Sequence, residues 1–134
     1  MFNILRITEG SVIGLHVTLL LAKSPDQPIT TEAAAEKMKA SAAHLSKVLQ
    51  RLGKAGIIRS VRGPKGGYIL NRSLSEIRLR DILEVMEGPI RLSNCLRAAP
   101  NCGTDGCMLG DLLKSVHSQV LKHFDKRLSE ICAA

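Results

Sequence analysis

Three cysteines lie close together at Cys95, Cys102 and Cys107, and a fourth, Cys132, stands apart from them. Thiolates are soft donors, and three of them suit an iron–sulfur cluster or zinc. The Cys-x2-Cys pairs usual in structural zinc sites are absent, which ranks zinc below an iron–sulfur cluster. Without a Cys-x-x-Cys pair, a thioredoxin-like redox enzyme is also disfavoured. On residue type alone, unligated loop thiols remain the alternative. The chain carries no paired carboxylates in a pocket motif, no nucleophile elbow and no phosphate-binding loop ahead of a helix. A thiol redox enzyme ranks last, and the expectation is a protein that is not an enzyme.

A second set of residues points to nucleic acid. Between Ala42 and Arg80 stand nine bases (Lys47, Arg51, Lys54, Arg59, Arg62, Lys65, Arg72, Arg78, Arg80) against one acid, Glu76, a local net of +8. The whole chain carries +7, so the remainder sums to −1. A periodic, glycine-punctuated basic block in an otherwise neutral chain reads as a folded footprint for phosphates rather than a polycationic tail. Phe2, Tyr68 and Phe124 are the only aromatic residues, too few for the base-stacking platforms of single-strand binders. Double-stranded DNA is the expected partner.

These residues need elements to hold them. Ile4 to Lys23 carries apolar residues at helical spacing and should form a first helix, ended by the prolines of Ser24-Pro25-Asp26-Gln27-Pro28. Its apolar stretch from Val12 to Ala22 is too short to cross a bilayer, and a cytoplasmic protein is expected. Thr30 to Met38 reads as a short capped helix and Lys39-Ala40 as a turn. Ser41 then caps a helix whose apolar positions Leu45, Val48, Leu49 and Leu52 share one face, with Gly56 as its left-handed terminus. Two helices joined by a short turn make a helix-turn-helix, whose second helix enters the major groove by its N-terminal turns. Ser41, Ala43, His44, Ser46 and Lys47 stand there, able to approach or bond to base edges. Arg51 lies further along, toward phosphate.

After Gly56 the period changes. Residues 57–62 and 67–72 are β-prone runs around Gly63-Pro64-Lys65-Gly66-Gly67, the pattern of a two-stranded wing with a glycine-rich tip. Arg59, Arg62 and Lys65 on this ribbon complete the expected DNA-binding set. Ser75 to Glu87 should be a helix capped by Ser75 and ended by Gly88-Pro89. From Cys107 to Ile131 the residues Leu109, Leu113, Val116, Val120, Phe124, Leu128 and Ile131 recur every three or four positions. One long amphipathic helix is expected, paired with its copy in a homodimer or folded back on the first helix. The fold class is mainly α with a small β-hairpin. The expected organisation is a winged helix-turn-helix domain (1–88), a cysteine-bearing sensor loop (89–106) and a dimerisation helix (107–134).

The run from Ser41 through Leu52-Gly53-Lys54-Ala55-Gly56-Ile57-Ile58, the wing Val61-Arg62-Gly63-Pro64-Lys65-Gly66-Gly67-Tyr68 and Ile82-Leu83-Glu84-Val85-Met86-Glu87-Gly88 closely resemble the Rrf2 family of bacterial winged-helix regulators, IscR- and NsrR-like. The likeness covers nearly the whole chain. It implies a homodimer on palindromic promoter DNA that represses or activates transcription, with an iron–sulfur cluster as sensor of iron–sulfur, redox or nitric oxide status. A 2Fe–2S cluster is placed ahead of a 4Fe–4S one. The metal ligands it implies are Cys95, Cys102 and Cys107. For the fourth, the histidine that IscR-like sequences carry three residues after the last cysteine is Gly110 here. The aspartate that NsrR-like sequences supply from the partner's first helix aligns with Val12. His16, one helical turn on, is the leading candidate, with Glu9 and Asp111 in reserve. A relative without a cluster, controlled by thiol oxidation or a protein partner, is the alternative.

Overall fold

A computed structural model describes residues 7–91 and 107–133. Helix α1 spans Glu9–Ala22, and Thr8 caps it by accepting a hydrogen bond from the Ser11 amide. The sequence pattern suggested an earlier start at Ile4, but residues 1–6 lie outside the described part and the cap falls at Thr8. Helix α2 (Thr31–Met38) has Thr30 as its cap, and α3 (Ala42–Lys54) has Ser41, as their hydroxyls imply. Between them Lys39 takes a left-handed conformation (φ 52°), and the Ala40 amide bonds back to the Ala35 carbonyl at 3.0 Å. That tight reversal is the one a glycine normally makes.

Strands β1 (Ile58–Val61) and β2 (Gly67–Leu70) pair antiparallel, Ile58 opposite Leu70 and Val61 opposite Gly67. The ribbon is pinned to the body at Ile29, which exchanges two backbone hydrogen bonds with Tyr68 (3.1 and 2.8 Å). Gly67 permits this approach. Its φ of +149° is one that side chains rarely adopt, and a Cβ there would run into the Ile29 backbone.

The core is the meeting of three apolar faces. Ile13, Val17 and Leu21 of α1, Leu45, Val48, Leu49 and Leu52 of α3, and Ile82 and Met86 of α4 (Leu79–Glu87) form one buried cluster. Gly14 lets α1 and α4 lie close, since a Cβ there would sit 3.3 Å from Met86 Cγ.

Two expectations need correction. The fourth helix begins at Leu79 rather than Ser75, because residues 77–79 are drawn into an extended contact. The Leu79 amide bonds to the Lys126 carbonyl (3.1 Å), and the Leu128 amide to the Ile77 carbonyl (2.9 Å). Asp81 supplies the cap, accepting from the Arg78 amide at 2.9 Å.

The same contact breaks the single long C-terminal helix in two, α5 (Gly110–Phe124) and α6 (Leu128–Cys132). Arg127 is extended there, its guanidinium bonded to the Ser75 carbonyl, and Arg80 reaches Asp125 at 3.2 Å. Of the two outcomes foreseen for the stripe, folding back on the first helix occurs on its second piece. Leu128 of α6 packs into the core beside α1, whereas no residue of α5 is buried.

This division has a measurable consequence. Leu128→Ala should lower the unfolding free energy by about 2–5 kcal/mol in a denaturant titration, the usual cost of emptying a core position. Ser118→Ala, at an exposed polar position of α5, should stay within about 0.5 kcal/mol.

Candidate nucleic-acid interface and cysteine-bearing edge

Because Leu45, Val48, Leu49 and Leu52 are all buried, helical geometry forces the other side of α3 outward. Ala43, Lys47, Gln50 and Lys54 follow one another at three- and four-residue steps on that exposed side. Ser41 and Ala42 are exposed at the start of the helix, and Ser46 is half-buried. Gln50 was not singled out from the sequence. Its signal was its spacing from Lys47, and an amide can bond bidentately to adenine.

His44 is half-buried and turned toward α1, its Nε2 lying 3.8 Å from where a Cβ on Gly10 would stand. Arg51 leans the other way, donating to the Val85 carbonyl at the end of α4 (3.3 Å).

On the wing, Arg59, Arg62 and Lys65 are exposed. The tip is a β-turn closed by Gly66 N–H on the Gly63 carbonyl at 2.9 Å, with Pro64 and Lys65 at its two central positions. A side chain at Gly66 would collide with the Val61 carbonyl oxygen. The turn therefore holds Lys65 out at the extremity of the ribbon.

The nine bases of the block divide by what they touch. Arg51 is bonded to α4, Arg72 to the Ala55 carbonyl (3.3 Å), and Arg78 and Arg80 face Asp125. Lys47, Lys54, Arg59, Arg62 and Lys65 make no hydrogen bond or ion pair with a side chain or carbonyl among the described residues, and all are exposed. Those five carry unspent charge. The other four use their guanidinium groups within the fold.

The cysteine-bearing edge is described in part. Cys107 is exposed, just ahead of α5, and Cys132 is exposed at the end of α6. Cys95 and Cys102 lie outside the described residues. His16 and Glu9 are exposed on α1, and Asp111 on the first turn of α5. Val12, aligned with the family's partner-supplied ligand, is 39% exposed on α1. Among the described residues no three His, Cys, Asp or Glu side chains gather closely enough to hold a metal ion. No described helix is long and apolar enough to cross a membrane.

Where α4 ends, Glu87 turns its carboxylate onto the start of α1. One oxygen, Oε1, accepts from the Thr8 amide (2.9 Å), the Thr8 hydroxyl (2.9 Å) and the Ser11 hydroxyl (2.6 Å). The Ser11 bond, followed by the Thr8 amide, holds the carboxyl below its ordinary value, against a smaller opposing effect of burial.

A helix-turn-helix followed by a pinned hairpin whose tip carries cations defines a winged-helix DNA-binding protein. The sequence profile of the Rrf2 family, described as an iron-dependent transcriptional regulator, matches residues 7–133, and the chain belongs to that family. It is 31% identical over 108 residues to the transcriptional regulator IscR of Pectobacterium carotovorum, a match covering 80% of this chain and 62% of that protein. Several other curated relatives are matched over little more than half their length, 53% to 57%. Among solved structures, a candidate transcriptional regulator from Listeria innocua is 30% identical with a TM-score of 0.78, covering 99% of this chain and 90% of that one. The oxidized form of Staphylococcus aureus CymR is 28% identical with a TM-score of 0.73, covering 92% and 93%. These are transcriptional regulators, and the winged-helix fold is shared.

The Glu87 contacts set an acid limit. With its pKa lowered in the fold, the carboxylate contributes stability at neutral pH that is lost as pH falls below about 4.5, where the unfolded chain takes up the proton first. Glu87→Gln should therefore be less stable than the parent at pH 7. The gap should narrow on acidification from pH 5 to pH 3, measured by urea unfolding at each pH.

Proposed function

We propose that the protein is a homodimeric, sequence-specific regulator of transcription that binds promoter DNA through α3 and the wing. The observation that carries this is the set of exposed cations Lys47, Lys54, Arg59, Arg62 and Lys65, left without partners among the described residues in a chain of the Rrf2 family. Ser41, Ala43, Ser46, Lys47 and Gln50 face bases, and Arg62 and Lys65 approach the backbone beside the major groove. His44 and Arg51, half-buried against α1 and bonded to α4 respectively, take part by orienting the helix. The exposed apolar residues Met108, Leu109 and Leu112, together with the absence of any buried residue on α5, support that helix as the dimer contact.

Neutralised phosphates release counterions, so the salt dependence of binding counts the cations in contact. With duplexes recovered by in vitro selection, replacing Arg62 or Lys65 by Ala should flatten the log–log salt slope by about one unit per subunit. Arg78→Ala or Arg80→Ala should leave the slope unchanged. A wild-type affinity independent of salt would overturn the reading.

The sensing part rests on Cys95, Cys102 and Cys107. Three thiolates with an imidazole form a donor set that fits a 2Fe–2S cluster, and the family's description as iron-dependent supports it. Cys107 and His16 are both accessible, and His16 would act as the fourth ligand, from the partner's α1. When bound, such a cluster supplies a redox- and nitric oxide-sensitive centre. The protein's part is to bind it and to pass its loss to the DNA-binding surface.

Anaerobic reconstitution with iron and sulfide should give visible absorption, abolished in the triple Cys95, Cys102, Cys107→Ala variant and altered in His16→Ala. The likeness to a structure of oxidized CymR favours the other reading, thiol oxidation at the exposed cysteines. A colourless, iron-free protein whose operator affinity still responds to peroxide would establish it.

A further inference from the structure

The last turn of α4 is touched by both other core helices. Arg51 of α3 donates to the Val85 carbonyl (3.3 Å), and Thr8 and Ser11 of α1 donate to the Glu87 carboxylate. The triangle closes at Gly10. A Cβ there would lie 3.5 Å from Met86 Cε and 3.8 Å from His44 Nε2, so the bare first turn of α1 is wedged between the end of α4 and the start of α3.

Each contact has a physical reason to matter. The first amides of a helix lack intrahelical partners and carry positive potential, which a carboxylate from another helix satisfies. Charge-assisted bonds are stronger than neutral ones, and Ser11, itself fully buried, makes the shortest of the three. Glu87 does not cap its own helix. Its three bonds all run to α1.

We infer that Glu87 is a positioning residue for the recognition helix: it clamps the first turn of α1 to the last turn of α4 and so holds the surface against which His44 rests. The start of α3, where Ser41, Ala43 and Lys47 stand, takes its place from that clamp rather than from the deep core alone. Leu49 and Leu52 anchor the far end of α3 in the apolar cluster; its first turn has Leu45 in that cluster and His44 on the side of α1.

The clamp also lies on the path to the cysteines. The chain leaves α4 at Gly88 (φ 87°), the Ile90 amide bonds back to Glu84 at 3.3 Å, and the segment bearing Cys95 and Cys102 follows. The consequence for DNA rests on the reading proposed above. The mechanical coupling stands on the hydrogen bonds.

Hydrogen exchange on the DNA-free protein tests the coupling without reference to DNA. Glu87→Ala should speed exchange at the amides of Leu45, Ser46 and Lys47 about tenfold while leaving Leu49 and Leu52 at wild-type rates. Glu87→Gln, which keeps an acceptor oxygen but not the charge, should fall between, and Ser11→Ala should reproduce the pattern from the other side of the bond. Acceleration confined to α1, or spread evenly over all helices, would overturn the inference.

With duplexes from in vitro selection, Glu87→Ala should weaken specific binding about tenfold and leave binding to random duplex unchanged. Equal loss on both, or none, would sever the clamp from recognition. Should the wild type select no duplex at all, the DNA reading fails while the exchange result stands on its own.

Discussion

The burial of one side of α3 is the constraint from which the rest of the molecule follows. Leu45, Val48, Leu49 and Leu52 are seated in the apolar cluster to which α1, α2, α4 and the start of β1 also contribute, and once they are seated the helix cannot rotate. A quarter-turn would drive Lys47 or Arg51 into the core and bring two leucines into water. The polar side of the helix is thus aimed by the hydrophobic effect acting on its opposite side, and its aim is as rigid as the packing.

The hairpin obeys a second, backbone constraint. Two strands of four residues would be marginal alone, yet here the ribbon gains a third partner at Ile29, in the link between α1 and α2. Gly66 and Gly67 allow the close approach, and the turn at Pro64-Lys65 sets the charge at the tip. The wing is therefore tied to the same α1–α2 corner that leads into the helix-turn-helix, so wing and recognition helix are parts of one frame.

The C-terminal region divides its apolar residues between two tasks. Leu128 belongs to the core of the DNA-binding unit, and α5 leaves its apolar residues partly exposed. The corner between them is held by backbone pairing to residues 77–79 and by Asp125, which draws Arg78 and Arg80 away from the basic surface. A single carboxylate here separates arginines that serve the fold from lysines and arginines that remain available.

Much of the frame was legible in the sequence because it depends on local chemistry. Hydroxyl caps at Thr30 and Ser41, the 3–4 spacing of apolar residues in α3, and the glycines of the wing each specify structure within a few residues. What tertiary structure alone decided are the places where distant segments compete with local preference. No glycine or proline marks residues 125–127, so the stripe read as one helix. The break there, and the late start of α4, come from hydrogen bonds between segments far apart in sequence. In the same way, charge counting could not separate Arg51, Arg72, Arg78 and Arg80 from the five cations that bond to nothing among the described residues, nor show that Glu87 serves α1. Which partner a charged group finds is a matter of geometry across the fold, whereas which residues form a turn or a helical face is settled by their neighbours along the chain.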